Sequence, residues 1–313
     1  MGTNSVPLHG RGHLASVAAQ IAKSPATWFF AAVWAGSVLV LVATGNGFPL
    51  FSVLIGAVYL LFSALTVMIT EPAPAESAAE SAAESAATSS RGRLWLQVGL
   101  ILLFIVLTGW MGLVFHDVVA PDASIPLWSP FVAWLQRLSG QWFGNDNYIA
   151  NPVTYVVIPL AALLLTGARL AELGFGRGHR VGSVLLLWCA IPFIFFAYML
   201  LTGQLTIGRL LGRFVSNFMQ NGFWEEFLFR GALQTRLRRL WTPGWALVVQ
   251  AILFGAWHLG LGYTNTGHSG FLPALASVLV HQAVLGLALG IVFERTRNLL
   301  APSIVHIIIN SMG

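Results

Sequence analysis

Apolar residues gather along the chain into nine runs, near 26–44, 48–69, 94–116, 152–167, 183–202, 215–235, 243–258, 271–293 and 301–313. Each is read as a helix, because a bilayer core of ~30 Å takes about 20 apolar residues at helical rise. The fourth, seventh and ninth runs are short for a full crossing. The pattern predicts an all-α, polytopic membrane helix bundle with about eight to nine hydrophobic segments. Composition agrees: of 313 residues, 57% are hydrophobic and 9% charged, with a mean hydropathy of +0.77, whereas a soluble domain carries roughly a quarter charged residues.

The polar residues between the runs suggest orientation. The net charge of +5 comes from arginine, with Lys23 the only lysine, and the arginines sit at the ends of apolar runs. That is the pattern of topology markers, so no nucleic-acid partner is expected. Arg11 and Lys23 place the N-terminus in the cytoplasm. Arg91 with Arg93, then Arg169, Arg177 and Arg180, then RLRR at 236–239 and ERTR at 294–297 mark further internal loops. The loop 117–151 falls outside. Arg209 and Arg213 break the rule, and Leu210, Leu211 and Phe218 at helical spacing suit a short interfacial helix there. The first apolar run reads as an uncleaved anchor of a multi-pass cell-membrane protein. Cys189 is the only cysteine, so neither a disulfide framework nor a cysteine metal site is available.

Between the second and third runs lies EPAPAESAAESAAESAATSSRGR, in which ESAA recurs three times from Glu76. It reads as a low-complexity tether with no chemistry. It divides the chain into an N-terminal transmembrane pair (1–70), a linker (71–93) and a main membrane bundle (94–313). Twelve tryptophans suit interfacial belts, and the Gly286/Gly290 pair suits close helix packing.

Three runs carry polar groups at depth: FWEEFLFRG (223–231), LFGAWHLG (253–260) and IVHIIINSMG (304–313). An ionisable group inside a span is expensive and marks a functional candidate. Glu226 and Arg230 are four apart and share a helix face, with the acid N-terminal to the base. Glu225 points about 100° away and has no partner in its own segment, so it is free to face a cavity. His306 and Asn310 also share a face, and Phe254 lies one turn before His258. At ~1.5 Å per residue, Glu225 stands about 16 Å from Arg236, His258 about 22 Å from Pro243, and His306 and Asn310 about 13 and 19 Å from Arg297. The four are expected to converge near the middle of the bilayer.

A carboxylate, two histidines and an amide at one depth can hydrolyse an amide. Glutamate serves as general base for water, a histidine orients that water, and a histidine with an asparagine supplies donors for the oxyanion. No Ser or Cys shares these faces, so activated water is favoured over an acyl-enzyme. The same groups also suit a structural ion pair, interhelical hydrogen bonds, or the proton relay of a transporter. Zinc held by Glu225, His258 and His306 is a further alternative; the missing HExxH and the asparagine argue against it, and no cofactor is expected. His281 and Gln282 are expected to make hydrogen bonds within the bundle.

EExxxR (Glu225, Glu226, Arg230), FxxxH (Phe254, His258) and HxxxN (His306, Asn310), in this order on successive helices, resemble the CPBP family. This is the CAAX protease and bacteriocin-processing (Abi) family of intramembrane proteases, which includes the Rce1-type endopeptidases. The flanking FRGALQTRL and GLALGIVFERTRNLLAPSIVH agree, and the resemblance covers about 150–313. It implies that Glu225 activates water beside His258, that His306 and Asn310 stabilise the oxyanion, and that Glu226 and Arg230 support the site. It implies a membrane-associated protein or peptide as substrate, CAAX proteins for some members. A proton-coupled transporter, and a non-catalytic membrane partner or immunity protein on the same scaffold, are the alternatives.

Overall fold

The computed structural model describes residues 23–70, 91–120 and 123–312. The ESAA repeats and Arg11 lie outside the described residues, so the expectations resting on them go no further here. Among the described residues every regular element is helical. In chain order these are α1 (Pro25–Ala43), α2 (Leu50–Ile69), α3 (Arg91–Phe115), α4 (Trp128–Phe143), α5 (Asn147–Leu165), α6 (Val181–Leu201) and α7 (Ile207–Asn217). There follow α8 (218–240), α9 (Pro243–Trp257), α10 (Leu259–Asn265), α11 (Phe271–Val280), α12 (Gln282–Thr296) and α13 (Leu300–Ser311).

Among the described residues six spans are long and apolar enough to cross a membrane, α11 and α12 together (Phe271–Thr296) counting as one, or seven when the bent pair α9–α10 is also taken as one span. This is somewhat fewer than the eight to nine hydrophobic segments the sequence suggests. The difference has two sources. α8 carries three charges at its centre and two stretches of π-helix, and α13 is only 12 residues long. Both are packed inside the bundle, where neighbouring helices rather than length keep them from lipid. A helix absent from the sequence reading, α4, occupies the loop 117–151 and packs on the start of α5.

α9 and α12 form the central pair. Gly286 and Gly290 allow it: a Cβ on Gly286 would stand 2.9 Å from Phe254 and 3.2 Å from the Ala251 carbonyl, and one on Gly290 would collide with Gln250. The N-terminal pair docks on this centre, α1 against α11 and α2 against α12. Trp188 donates from Nε1 to the Thr66 hydroxyl at 2.8 Å. Tryptophan usage is thus mixed: Trp28, Trp134 and Trp142 are exposed, as a belt requires, whereas Trp188 is buried.

α7 buries none of its residues fully, and its polar side is fixed to the end of α13. Arg213 donates to the Ser311 carbonyl and Asn217 to its hydroxyl, each at 3.1 Å. Its other side carries exposed Ile207, Leu211 and Val215, which is the amphipathic form expected around Arg209 and Arg213.

Candidate active site

Adjacent glutamates on α8 meet opposite environments. Glu226 is wholly buried, and its Oε1 accepts from Arg230 Nη1 at 3.0 Å and pairs with His306 Nδ1 at 2.8 Å. Arg230 spends a second N–H on the Gly286 carbonyl at 2.9 Å and lies 4.5 Å from the centre of the Phe254 ring. Four-residue spacing continues the pattern down the same helix face. Gln234 donates to the Gly290 carbonyl at 3.1 Å, and Arg238 pairs with Glu294 at 3.0 Å. Residues 226, 230, 234 and 238 therefore run as a polar ladder along α12.

Glu225 turns the other way. Its Oε2 is buried without a hydrogen-bond partner among the described residues, and lies 3.7 Å from His258 Nε2. That separation is too long for a direct hydrogen bond. His258 ends α9, where the chain bends by 56° into α10. Its Nδ1 is 2.8 Å from the Phe254 carbonyl. A carbonyl only accepts, so Nδ1 carries a proton, and in the neutral ring Nε2 is then the acceptor that faces Glu225. Phe254 packs against the edge of the ring at 4.7 Å between centres, and Trp257 at 4.9 Å.

Glu225, His258, His306 and Asn310 all line one cavity of about 410 Å³. The structure thus brings together the four residues singled out from the sequence, while Glu226, Arg230 and Phe254 stand behind them. Gly222 permits the approach of α8 to α13, because a Cβ there would collide with Ile307, the neighbour of His306. Among the described residues no three His, Cys, Asp or Glu side chains are grouped to hold a metal ion, and the set Glu225, His258 and His306 is included in that statement.

The cavity has walls the sequence did not reveal. Gln136 of α4, Asn147 and Asn151 of α5, Gln220 and Asn221 of α8, and Gln282 of α12 line it, together with Tyr155. Gln282, expected to make a bundle hydrogen bond, faces this space, whereas its neighbour His281 stacks edge-on to Tyr59. Tyr155 sits in a π-helical turn, Val153–Val157, a local widening common where helices carry function. Only the carboxamides in otherwise apolar text (NDNYIANP and MQNG) hinted at these residues. Nothing local says that α4 and α5 close over α8.

Comparison with known proteins adds one finding. Residues 207–312 match the model of a family described as type II CAAX prenyl endopeptidase Rce1-like. No curated protein and no solved structure matches the chain. The match begins at the first residue of α7, spans less of the chain than the expected 150–313, and contains Glu225, Glu226, Arg230, Phe254, His258, His306 and Asn310. Through this segment, from α7 to α13, the chain is similar to the Rce1-like family, and its long apolar helices are those of an integral membrane protein.

Proposed function

We propose that the chain is an intramembrane endopeptidase that hydrolyses peptide bonds of membrane-associated proteins or peptides, with water activated by Glu225. The observation that carries this reading is the unpartnered Glu225 Oε2 facing His258 Nε2 across 3.7 Å at the edge of the cavity. Two acceptors at that separation can each receive one hydrogen of a single water. The water oxygen is left with a lone pair to attack a carbonyl carbon.

As the water attacks, Glu225 takes its proton. The oxyanion formed faces His306 and Asn310. His306 donates a hydrogen bond from Nδ1–H to the Glu226 carboxylate, so it offers an N–H to the cavity only when Nε2 is protonated as well, its positive charge then lying against that carboxylate. The Asn310 amide is the second donor. Each such donor is worth about 3–4 kcal/mol in a transition state. Collapse of the tetrahedral species expels the amine, which receives the proton held by Glu225. No step is routed through a metal. Support comes from the donor set, where a glutamate and two histidines are not gathered on one point.

The test is cleavage of membrane-tethered peptides by the purified protein in detergent, read by mass spectrometry before and after exhaustive chelation. Equal cleavage in both is expected. Loss on chelation with recovery on stoichiometric zinc would sink the mechanism. A folded protein that cuts nothing but carries protons in proteoliposomes would replace it with a transporter.

A further inference from the structure

The two ends of the bundle differ in charge and in access to the site. Among the described residues, the cations other than buried Arg230 divide unequally: Arg137, Arg209 and Arg213 lie at one end and the rest at the other. Contacts show that the larger group shares one end. Glu172 binds Arg169, Arg236 and Arg239 at 3.0–3.2 Å. Glu294 binds Arg238 and Arg297 at 2.9–3.0 Å, and Arg295 reaches the Thr70 carbonyl at 3.5 Å. Lysine and arginine enriched in short loops mark the cytoplasmic side.

The cavity opens toward the opposite end. Its rim residues His116, Gln136, Asn147, Gln220 and Leu261 come from the ends of helices and the connections between them at that end. The ties there are His116 to Thr264 at 3.0 Å and Asn151 to the Gln220 carbonyl at 2.6 Å. Toward the arginine end the site is sealed. Phe227, Leu228, Phe229, Leu233, Leu237 and Phe254 are each no more than 1% exposed. Beneath them Arg236, also 1% exposed, donates to Gln97 Oε1 at 3.1 Å and to Glu172 at 3.0 Å. Between the two ends, the lining of the cavity lies toward the one poor in arginine.

The wall chemistry narrows the occupant. No described lysine, arginine or aspartate lines the cavity; carboxamides from α4, α5, α8 and α12 do. Carboxamides donate and accept like the peptide group itself. They suit an uncharged polar backbone and offer no cation for a free terminal carboxylate. Gln136, Asn147 and Asn151 lie outside the segment that matches the family.

We propose that the site opens on the extracytoplasmic face and takes its substrate there, as an uncharged polar peptide segment of a membrane or exported protein rather than the carboxy-terminus of a cytoplasmic one. The proposal rests on the endopeptidase reading for its chemistry and on the fold for its side.

Cys189 is the only cysteine, buried in a span, so Cys189→Ala leaves no thiol. On that background Ser269→Cys marks the cavity end and Ala171→Cys the arginine end; both positions are exposed and outside the site. In sealed right-side-out vesicles, a membrane-impermeant maleimide should label Ser269→Cys directly and Ala171→Cys only after permeabilisation. An internally quenched, uncharged polar peptide added outside should be cut by the unsubstituted protein without permeabilisation. The reverse labelling order, or expected labelling with cleavage only after permeabilisation, overturns the proposal. Expected labelling with no cleavage on either side overturns the endopeptidase reading instead, because labelling reads orientation without turnover.

Discussion

Two polar regions meet along α8 and treat buried charge in opposite ways. On the face toward α12 and α13, Glu226, Arg230, Gln234 and Arg238 each make at least one hydrogen bond or ion pair, although each also keeps one buried polar atom without a partner. On the face toward the cavity, Glu225 makes no hydrogen bond among the described residues, and its nearest polar neighbour is His258 Nε2 at 3.7 Å. Removing one member of a buried pair leaves the other charge uncompensated. The ladder therefore holds the helix in place against α12 and α13, and its loss is a loss of fold. An unpartnered carboxylate stabilises little and can accept a proton from water. In the proposed mechanism the same residue type, one position apart, serves structure in one place and chemistry in the other.

The sharpest way to break this comparison is on the ladder side. Glu226→Gln leaves Arg230 charged and takes a carboxylate from His306, which should cost about 3–5 kcal/mol of stability. The variant should express poorly or melt early, and Arg230→Met added to it should recover part of the loss. A stable but inactive Glu226→Gln would exchange the roles of the two regions.

His306 belongs to both regions, so its replacement should show both effects at smaller size. His306→Gln should lose about 1–3 kcal/mol of stability from the missing charge-assisted bond to Glu226. Turnover should also fall by about 10²–10³ if the ring is an oxyanion donor. Thermal melting and cleavage rate on the same preparation separate the two; full turnover in a destabilised protein would leave His306 with a structural role only.

The smallest effect is expected outside the described residues. Deleting one ESAA unit from the linker should change neither activity nor insertion, since loop length costs only slowly varying entropy. A large loss of turnover with intact expression would assign the segment a part in recruiting substrate.

The sequence revealed these two regions to different degrees. Helical spacing alone paired Glu226 with Arg230 and His306 with Asn310, because four residues bring side chains onto one face. Rise per residue brought the candidate residues to one depth. Spacing could not reveal that His306 turns its Nδ1 to Glu226, since that contact joins residues 80 apart in sequence. Nor could it show that His258 ends its helix rather than continuing it. The missing span count has the same origin. α8 and α13 are apolar enough to suggest crossings, but their character follows from being enclosed by neighbours, which is a tertiary property. The carboxamide wall was hidden for a further reason: single Asn and Gln residues in loops are common, and only the fold of α4 and α5 over the site gives them a shared direction.

The claim that the unpartnered glutamate does the chemistry is tested most directly by Glu225→Gln, with melting temperature and cleavage rate measured on one purified sample. The substitution keeps shape and removes the base. The account predicts an unchanged melting temperature and a rate lower by at least ~100-fold, the lower end for loss of a general base. Full activity in that variant would contradict it.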